Sequence, residues 1–119
     1  MVILNRLFVL IIIVFVSCKN NSCEIEHKRF NTYENAVLIV RNSQFEYYDF
    51  ITTNKSTWID KAEYYSCDKK IGYLIIEVDS RTYIHKDLPY QIWNDFKTAN
   101  SFGAFYNKII KGKFSLILE

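Results

Sequence analysis

An unbroken apolar run near the amino terminus, Leu7 to Val16 (LFVLIIIVFV), sets the limits within which this chain can fold; Arg6 precedes it and Ser17-Cys18 follows. As a helix those residues would extend ~15 Å, half the ~30 Å hydrocarbon core of a bilayer, and counting back to Val2 only adds Asn5 and Arg6. Length and flanks fit the apolar region of a secretory signal rather than a membrane span. Residues 1–17 are therefore set apart, and about a hundred of the 119 residues remain, enough for one domain and too few for two. Half the residues are hydrophobic and only one is proline, so a packed core is expected. Losing Arg6 with the leader leaves the basic and acidic side chains nearly balanced, which gives no electrostatic argument for nucleic acid as the main partner.

The tetrad Phe15-Val16-Ser17-Cys18 resembles the lipobox of bacterial lipoproteins, with a small residue before the cysteine and Phe where Leu is usual. The resemblance implies that Cys18 becomes the acylated first residue of the mature protein. Palmitate-type chains, each buried methylene worth ~0.8 kcal/mol, would then make the membrane its first partner. An uncleaved anchor or an ordinary cleaved signal is the alternative. The polar stretch after Cys18 begins a tether, residues 18–30. It lacks both the aspartate that retains many lipoproteins at the inner membrane and an acidic run resembling a surface-export signal. The expected location is thus the outer membrane, facing the periplasm.

With Cys18 lipidated, Cys23 and Cys67 are an even pair in an oxidising compartment. They form either a disulfide, worth ~4 kcal/mol for a loop of that size, or two free thiols. His27 and His85 lie far apart without the cysteine or carboxylate spacing of a zinc site, so no metal and no cofactor is expected. Nothing in the sequence places Cys67 beside His85 as nucleophile and base, and no third group orients them, so the chain is not read as an enzyme.

Asn31-Thr32-Tyr33-Glu34 has the form of a capping box and opens a helix over about Thr32 to Asn42, with Ala36, Val37 and Val40 on one face. The β-branched AVLIV stretch, residues 36–40, reads equally as a buried strand. Phe45 to Thr53 reads as extended or irregular chain, with a turn at Asn54-Lys55-Ser56. Three strands follow: Trp58 to Cys67, Gly72 to Val78 and Arg81 to Lys86, joined at Asp68-Lys69-Lys70 and, as a hairpin, at Asp79-Ser80. Alternation puts Leu74, Ile76 and Val78 on one face, and Thr82 and Ile84 opposite Arg81, Tyr83 and His85. Leu88-Pro89 ends the sheet. Ile92, Trp93, Phe96 and Ala99 then follow helical spacing, and Asn100-Ser101 caps a second short helix running to about Ile110, where Gly103 permits close backbone approach and Gly112 ends it. The expected fold is α+β: a small antiparallel three-stranded β-meander followed by two short helices, with an N-terminal helix or extended segment. Residues 31–55 are an extension packing on the domain, and 56–119 the domain itself.

The stretch from Ser56 to about Phe114 resembles the KTSC domain family, named for a module at the C-terminus of some lysyl-tRNA synthetases. The resemblance is carried by Ser56-Thr57-Trp58-Ile59, the strand Leu74 to Val78 (LIIEV), Tyr83-Ile84-His85 in place of Tyr-x-Tyr, and Leu88-Pro89 in place of Val-Pro. Its most specific part is ANSFGAFYNKIIKGKF, Ala99 to Phe114. His85 stands where the family has a second tyrosine. No function is established for the family, and its association with the synthetase suggests RNA binding.

The residues matching these motifs, Tyr83, His85, Ser101, Gly103, Tyr106 and Asn107, form a candidate binding patch where the third strand meets the last helix. The competing reading is architectural: Ser101 caps, Gly103 allows close packing, the aromatics fill the core and Asn107 bonds loop backbone. Trp58, Trp93 and Tyr90 are candidates for lining a sugar or peptide pocket. Lys108, Lys111 and Lys113, interleaved with Tyr106 and Phe114, are the residues a nucleic acid would use. The function expected is a membrane-anchored, non-catalytic binding or adaptor module of the cell envelope, acting on an envelope protein, peptide or glycan. An RNA-binding module is the alternative.

Overall fold

The computed structural model describes Cys23, Ile25 and residues 28–53 and 58–119. Residues 1–17, read above as a signal segment, Cys18, read as the lipidation site, His27, the expected turn at 54–56 and the Ser56-Thr57 pair lie outside the described residues. In chain order the elements are α1 (Tyr33–Asn42), β1 (Tyr47–Thr52), β2 (Lys61–Ser66), β3 (Ile71–Val78), β4 (Arg81–Pro89), α2 (Tyr90–Lys97) and α3 (Phe102–Phe105), which runs on as a π-helical turn, Tyr106–Ile110. Among the described residues no helix is long and apolar enough to cross a membrane.

The first helix forms where expected, and the strand alternative for residues 36–40 falls. Ala36, Val37 and Val40 share one buried stripe, which only helical spacing allows. Its cap is Thr32 rather than Asn31: the Thr32 hydroxyl accepts from the Asn35 N–H at 3.0 Å. Glu34 therefore occupies the second helical position, one short of closing a capping box, and serves as a negative charge at the positive end of the helix dipole.

The sheet has four antiparallel strands in the order β1-β2-β3-β4, one more than the three expected. β1, read as extended or irregular, pairs with β2 from Tyr47↔Ser66 to Thr52↔Lys61. Its apolar residues fall at both parities, Tyr47 and Ile51 facing one way and Tyr48 and Phe50 the other, which hides the alternation of a half-buried strand. Between β2 and β3, one Asp68 carboxylate oxygen accepts the N–H groups of Lys70 (2.8 Å) and Ile71 (3.1 Å) while Lys69 takes a left-handed φ of 60°. These backbone donors, against a smaller effect of burial, hold the Asp68 carboxyl below the usual carboxylate range. Asp79 and Ser80, with φ of 43° and 66°, make the two-residue turn whose twist matches a hairpin. β4 continues past Lys86 to Pro89 because one extra residue bulges from it: Leu74 faces His85 while Gly72 faces Leu88, and Asp87 adopts φ 58°.

Both faces of this sheet are buried. On one, α1 packs over Tyr65, Tyr73, Ile75 and Ile84, joined by Cys23, Ile25, Phe30 and Leu116. The segment read as a tether thus contributes three core residues. Cys23 is disulfide-bonded to Cys67, with Cα atoms 5.7 Å apart. On the other face α2, α3 and the π turn pack Trp93, Phe96, Tyr106 and Ile110 against Ala62, Tyr64, Leu74, Ile76 and Leu88. Ile92 and Ala99, expected to face the sheet, are only half-buried.

Candidate functional site

Three polar clusters tie these layers together, and in each the side chains hold one another. On the α2 side, Asp49 of β1 accepts from Trp93 Nε1 (3.0 Å) and Lys97 Nζ (2.7 Å) through one oxygen and from the Phe50 N–H (2.9 Å) through the other. Burial would raise its pKa, but the bonds from Lys97 and Trp93 outweigh that and keep the carboxyl below its ordinary range. Tyr47 beside it is pushed up to about 12, by burial first and then by its bond to Tyr90 and the charge of Asp49. On the α1 side, Glu63 is buried within β2 and accepts from Arg41 Nε (3.0 Å) and Nη2 (2.7 Å); the same Nη2 also reaches Glu77 at 2.7 Å.

The third cluster centres on His85. Its Nδ1 faces the Phe114 carbonyl at 3.2 Å and its Nε2 the Tyr106 hydroxyl at 2.8 Å. A carbonyl only accepts, so Nδ1 carries the proton and Tyr106 donates to Nε2. The neutral imidazole is fully satisfied in this arrangement. Burial pulls its pKa below the ordinary value, with the Phe114 bond opposing, and burial pushes Tyr106 up.

The patch expected from the family motifs is therefore brought together and mostly closed. His85, Gly103 and Tyr106 are buried, and Ser101 caps α3 by accepting from the Ala104 N–H at 3.2 Å. His85 does not point to solvent, because its register partner Leu74 sits in the α2-side core. Gly103 is close not to the sheet but to Trp58: a Cβ there would clash with Nε1 of the indole ring, which stands edge-on to Tyr106 at 5.7 Å. Tyr83 and Asn107 stay exposed. Nor do Trp58, Trp93 and Tyr90 share a pocket. Trp93 is fully buried, stacked on Tyr64 at 5.4 Å and 10°, while Tyr90 lies against Tyr47. Tyr106, buried, is not available to stack a base beside Lys108, Lys111 and Lys113.

Several concave sites lie elsewhere among the described residues. A cavity of about 240 Å³ lies beside the disulfide, between Phe45, Tyr73 and the bulge at Lys86-Asp87. It is smaller than the ~300–1,000 Å³ of typical ligand pockets. A larger groove of about 610 Å³ runs between α1 and the first half of β4, walled by Tyr33, Val37 and Leu38 on the helix and by Arg81, Thr82 and Tyr83 on the strand. Tyr33 and Leu38 are 51% and 62% exposed, so two large apolar side chains meet water along the helix wall, while Tyr83, the register partner of Ile76 in the α2-side core, lines the groove through its strand and turns its ring to the other face. Sequence reasoning named only Tyr83 here. The available signal was Leu38, an apolar residue lying off the buried stripe of its own helix. The walls come from segments far apart in sequence, so no local motif marks the groove. Among the described residues, no buried side-chain nitrogen or oxygen lacks a hydrogen-bond partner, and no three His, Cys, Asp or Glu side chains are grouped to hold a metal ion.

In comparison with known proteins, the model of the KTSC domain matches residues 55–114, half of the chain. No curated protein and no solved structure matches. The matched segment contains β2 to β4, α2, α3 and the π turn, and leaves α1 and β1 outside. The groove is thus composite, one wall from the matched module and the other from the helix added before it.

Proposed function

The chain belongs to the KTSC domain family, and from that premise we propose that it is a membrane-anchored, non-catalytic binding or adaptor module of the bacterial cell envelope. It is held by lipid at Cys18 and takes a protein, peptide or glycan partner in the groove between α1 and β4. The observation that carries this reading is the exposure of Tyr33 and Leu38 on the helix wall of a groove of about 610 Å³, while the polar clusters are satisfied internally. Apolar groups left in water around a concavity are what a recognition surface needs and a stable core does not. The Cys23–Cys67 disulfide fits an exported protein in an oxidising compartment.

A photo-crosslinking amino acid at Leu38 tests the site, with the same group at exposed Lys108, in the π turn, as the comparison. An envelope adduct from Leu38, absent from Lys108 and lost when Tyr33 becomes serine, is the expected result. An RNA adduct from Lys108 that disappears at high salt would replace this reading with nucleic-acid binding. The anchor is checked separately: Cys18→Ala should abolish labelling by a fatty-acid analogue, and continued labelling would remove the membrane from the proposal.

A further inference from the structure

The outer edge of β4 is divided into two halves that differ in what covers them. Val78 and Arg81 flank a two-residue turn and so form a hydrogen-bonded pair, which directs the backbone groups of Arg81, Tyr83 and His85 toward β3 and those of Thr82, Ile84 and Lys86 away from the sheet. At Lys86 the outward N–H is satisfied by the Phe114 carbonyl at 3.2 Å, and Ser115 bridges His85 in antiparallel fashion. The molecule's own C-terminal segment therefore docks on this half of the edge as extended chain. It then turns away: Leu116 is buried under α1, and the Glu119 N–H reaches the Phe30 carbonyl at 3.1 Å. The bridge engages the outward carbonyl of Ile84, and among the described residues nothing pairs with the rest of the edge, Arg81 to Tyr83.

That open half forms the strand wall of the groove described above. Natural sheets protect such edges with proline, lysine or a bulge. Here the bulge and Pro89 both fall in or beyond the covered half, and the open half carries neither. We propose that the groove takes an extended segment of a partner protein, added as a fifth strand along Arg81 to Tyr83; this rests on the groove being the binding site. Three residues of edge span roughly 10 Å, room for three or four residues of peptide. The outward N–H and C=O of Thr82 supply one full rung. Thr82 and Ile84 present their side chains to the α1 face, so a peptide residue opposite Thr82 points its side chain at Val37 and Leu38. Backbone pairing would supply affinity irrespective of sequence, and the α1 wall would select an apolar side chain at alternate positions. A glycan could fill the same apolar wall but would not read the alternating backbone donors and acceptors.

The test is binding of the full chain, in detergent, to fluorescent heptapeptides that alternate Val, Leu or Phe with Thr or Lys, and to the same peptides N-methylated at alternate backbone nitrogens. Saturable binding is expected, weakened about tenfold or more by N-methylation on the pairing edge and by Thr82→Pro, which removes only an outward N–H. Melting of Thr82→Pro should stay at the parental temperature, and Leu38→Ser should weaken binding as well. If N-methylated peptides bind equally while Leu38→Ser still weakens them, strand addition is overturned and the groove stands. If no peptide saturates, strand addition is likewise overturned, and the Leu38 crosslinking above decides separately whether the groove binds anything. If peptides bind and Leu38→Ser changes nothing, the groove is not the site and both readings fall.

Discussion

The two faces of the sheet are fastened by different means. The α2 face lies almost wholly within the family segment and is held by ring packing: Tyr64 stacked on Trp93, Phe96 against Phe102 and Phe105, and Tyr106 between Trp58 and His85. The α1 face is built largely from residues outside that segment. It relies on a disulfide from Cys23 to Cys67 and on Arg41 spanning Glu63 and Glu77. A module of about 60 residues buries little surface, so it must concentrate large side chains on one face. On the α1 face the added segments set Phe30 and Phe45 against Tyr73 and Tyr65 of the strands and add a covalent bond and ion pairs to that packing. The groove lies at the rim of this second face.

Breaking the packed face should have the largest effect. Trp93 is fully buried and donates to Asp49, so Trp93→Ala removes a ring from the centre of the core and is expected to cost ~3–5 kcal/mol, read as a fall in the denaturant midpoint. Replacing Cys23 and Cys67 together with serine should cost less, ~2–4 kcal/mol. Its distinguishing mark is local. Hydrogen exchange should quicken in α1 while amides of β3 and α2 keep their protection. Loss of protection throughout would show that the two faces form one cooperative unit, and the contrast between them would collapse.

What the sequence disclosed follows the same division. The helix stripe of Ala36, Val37 and Val40, the Asp79-Ser80 hairpin and the Ser101 cap were legible because each is a short-range pattern with one physical cause. β1 was not, since its apolar side chains fall on both faces. The buried Glu63 was not, because its partner Arg41 lies on another element 22 residues away. The π turn at Tyr106–Ile110 has no propensity signal of its own. The motifs group the patch residues. The patch's interior character depends on the C-terminal segment folding back over His85, a contact no local spacing encodes.

A smaller perturbation sharpens the picture of the packed face. Gly103→Ala brings a methyl group into a clash with Nε1 of the Trp58 indole, and because Trp58 is 39% exposed the ring can swing outward. The expected cost is ~1–3 kcal/mol, with Trp58 emission shifted to the red as the ring enters water. An unchanged spectrum and midpoint would mean that the indole does not rest on Gly103.

The smallest effect expected is a slope rather than a loss, and it separates burial from charge. Burial lowers the His85 pKa in the folded state, so folding favours the neutral ring. The stabilisation from that preference is complete above the unfolded value of about 6.5 and is lost progressively as pH falls through the folded value. Asp49 and Asp68 are also shifted down, but their contribution fades only below the ordinary carboxylate value of about 4. Between those limits the melting temperature should decline with falling pH. His85→Gln, which keeps one donor and one acceptor and cannot titrate there, should flatten the decline. His27→Gln controls for the other histidine. If the slope survives in His85→Gln and disappears in His27→Gln, the packed face has no titrating group, and the acid sensitivity belongs to the amino-terminal segment instead.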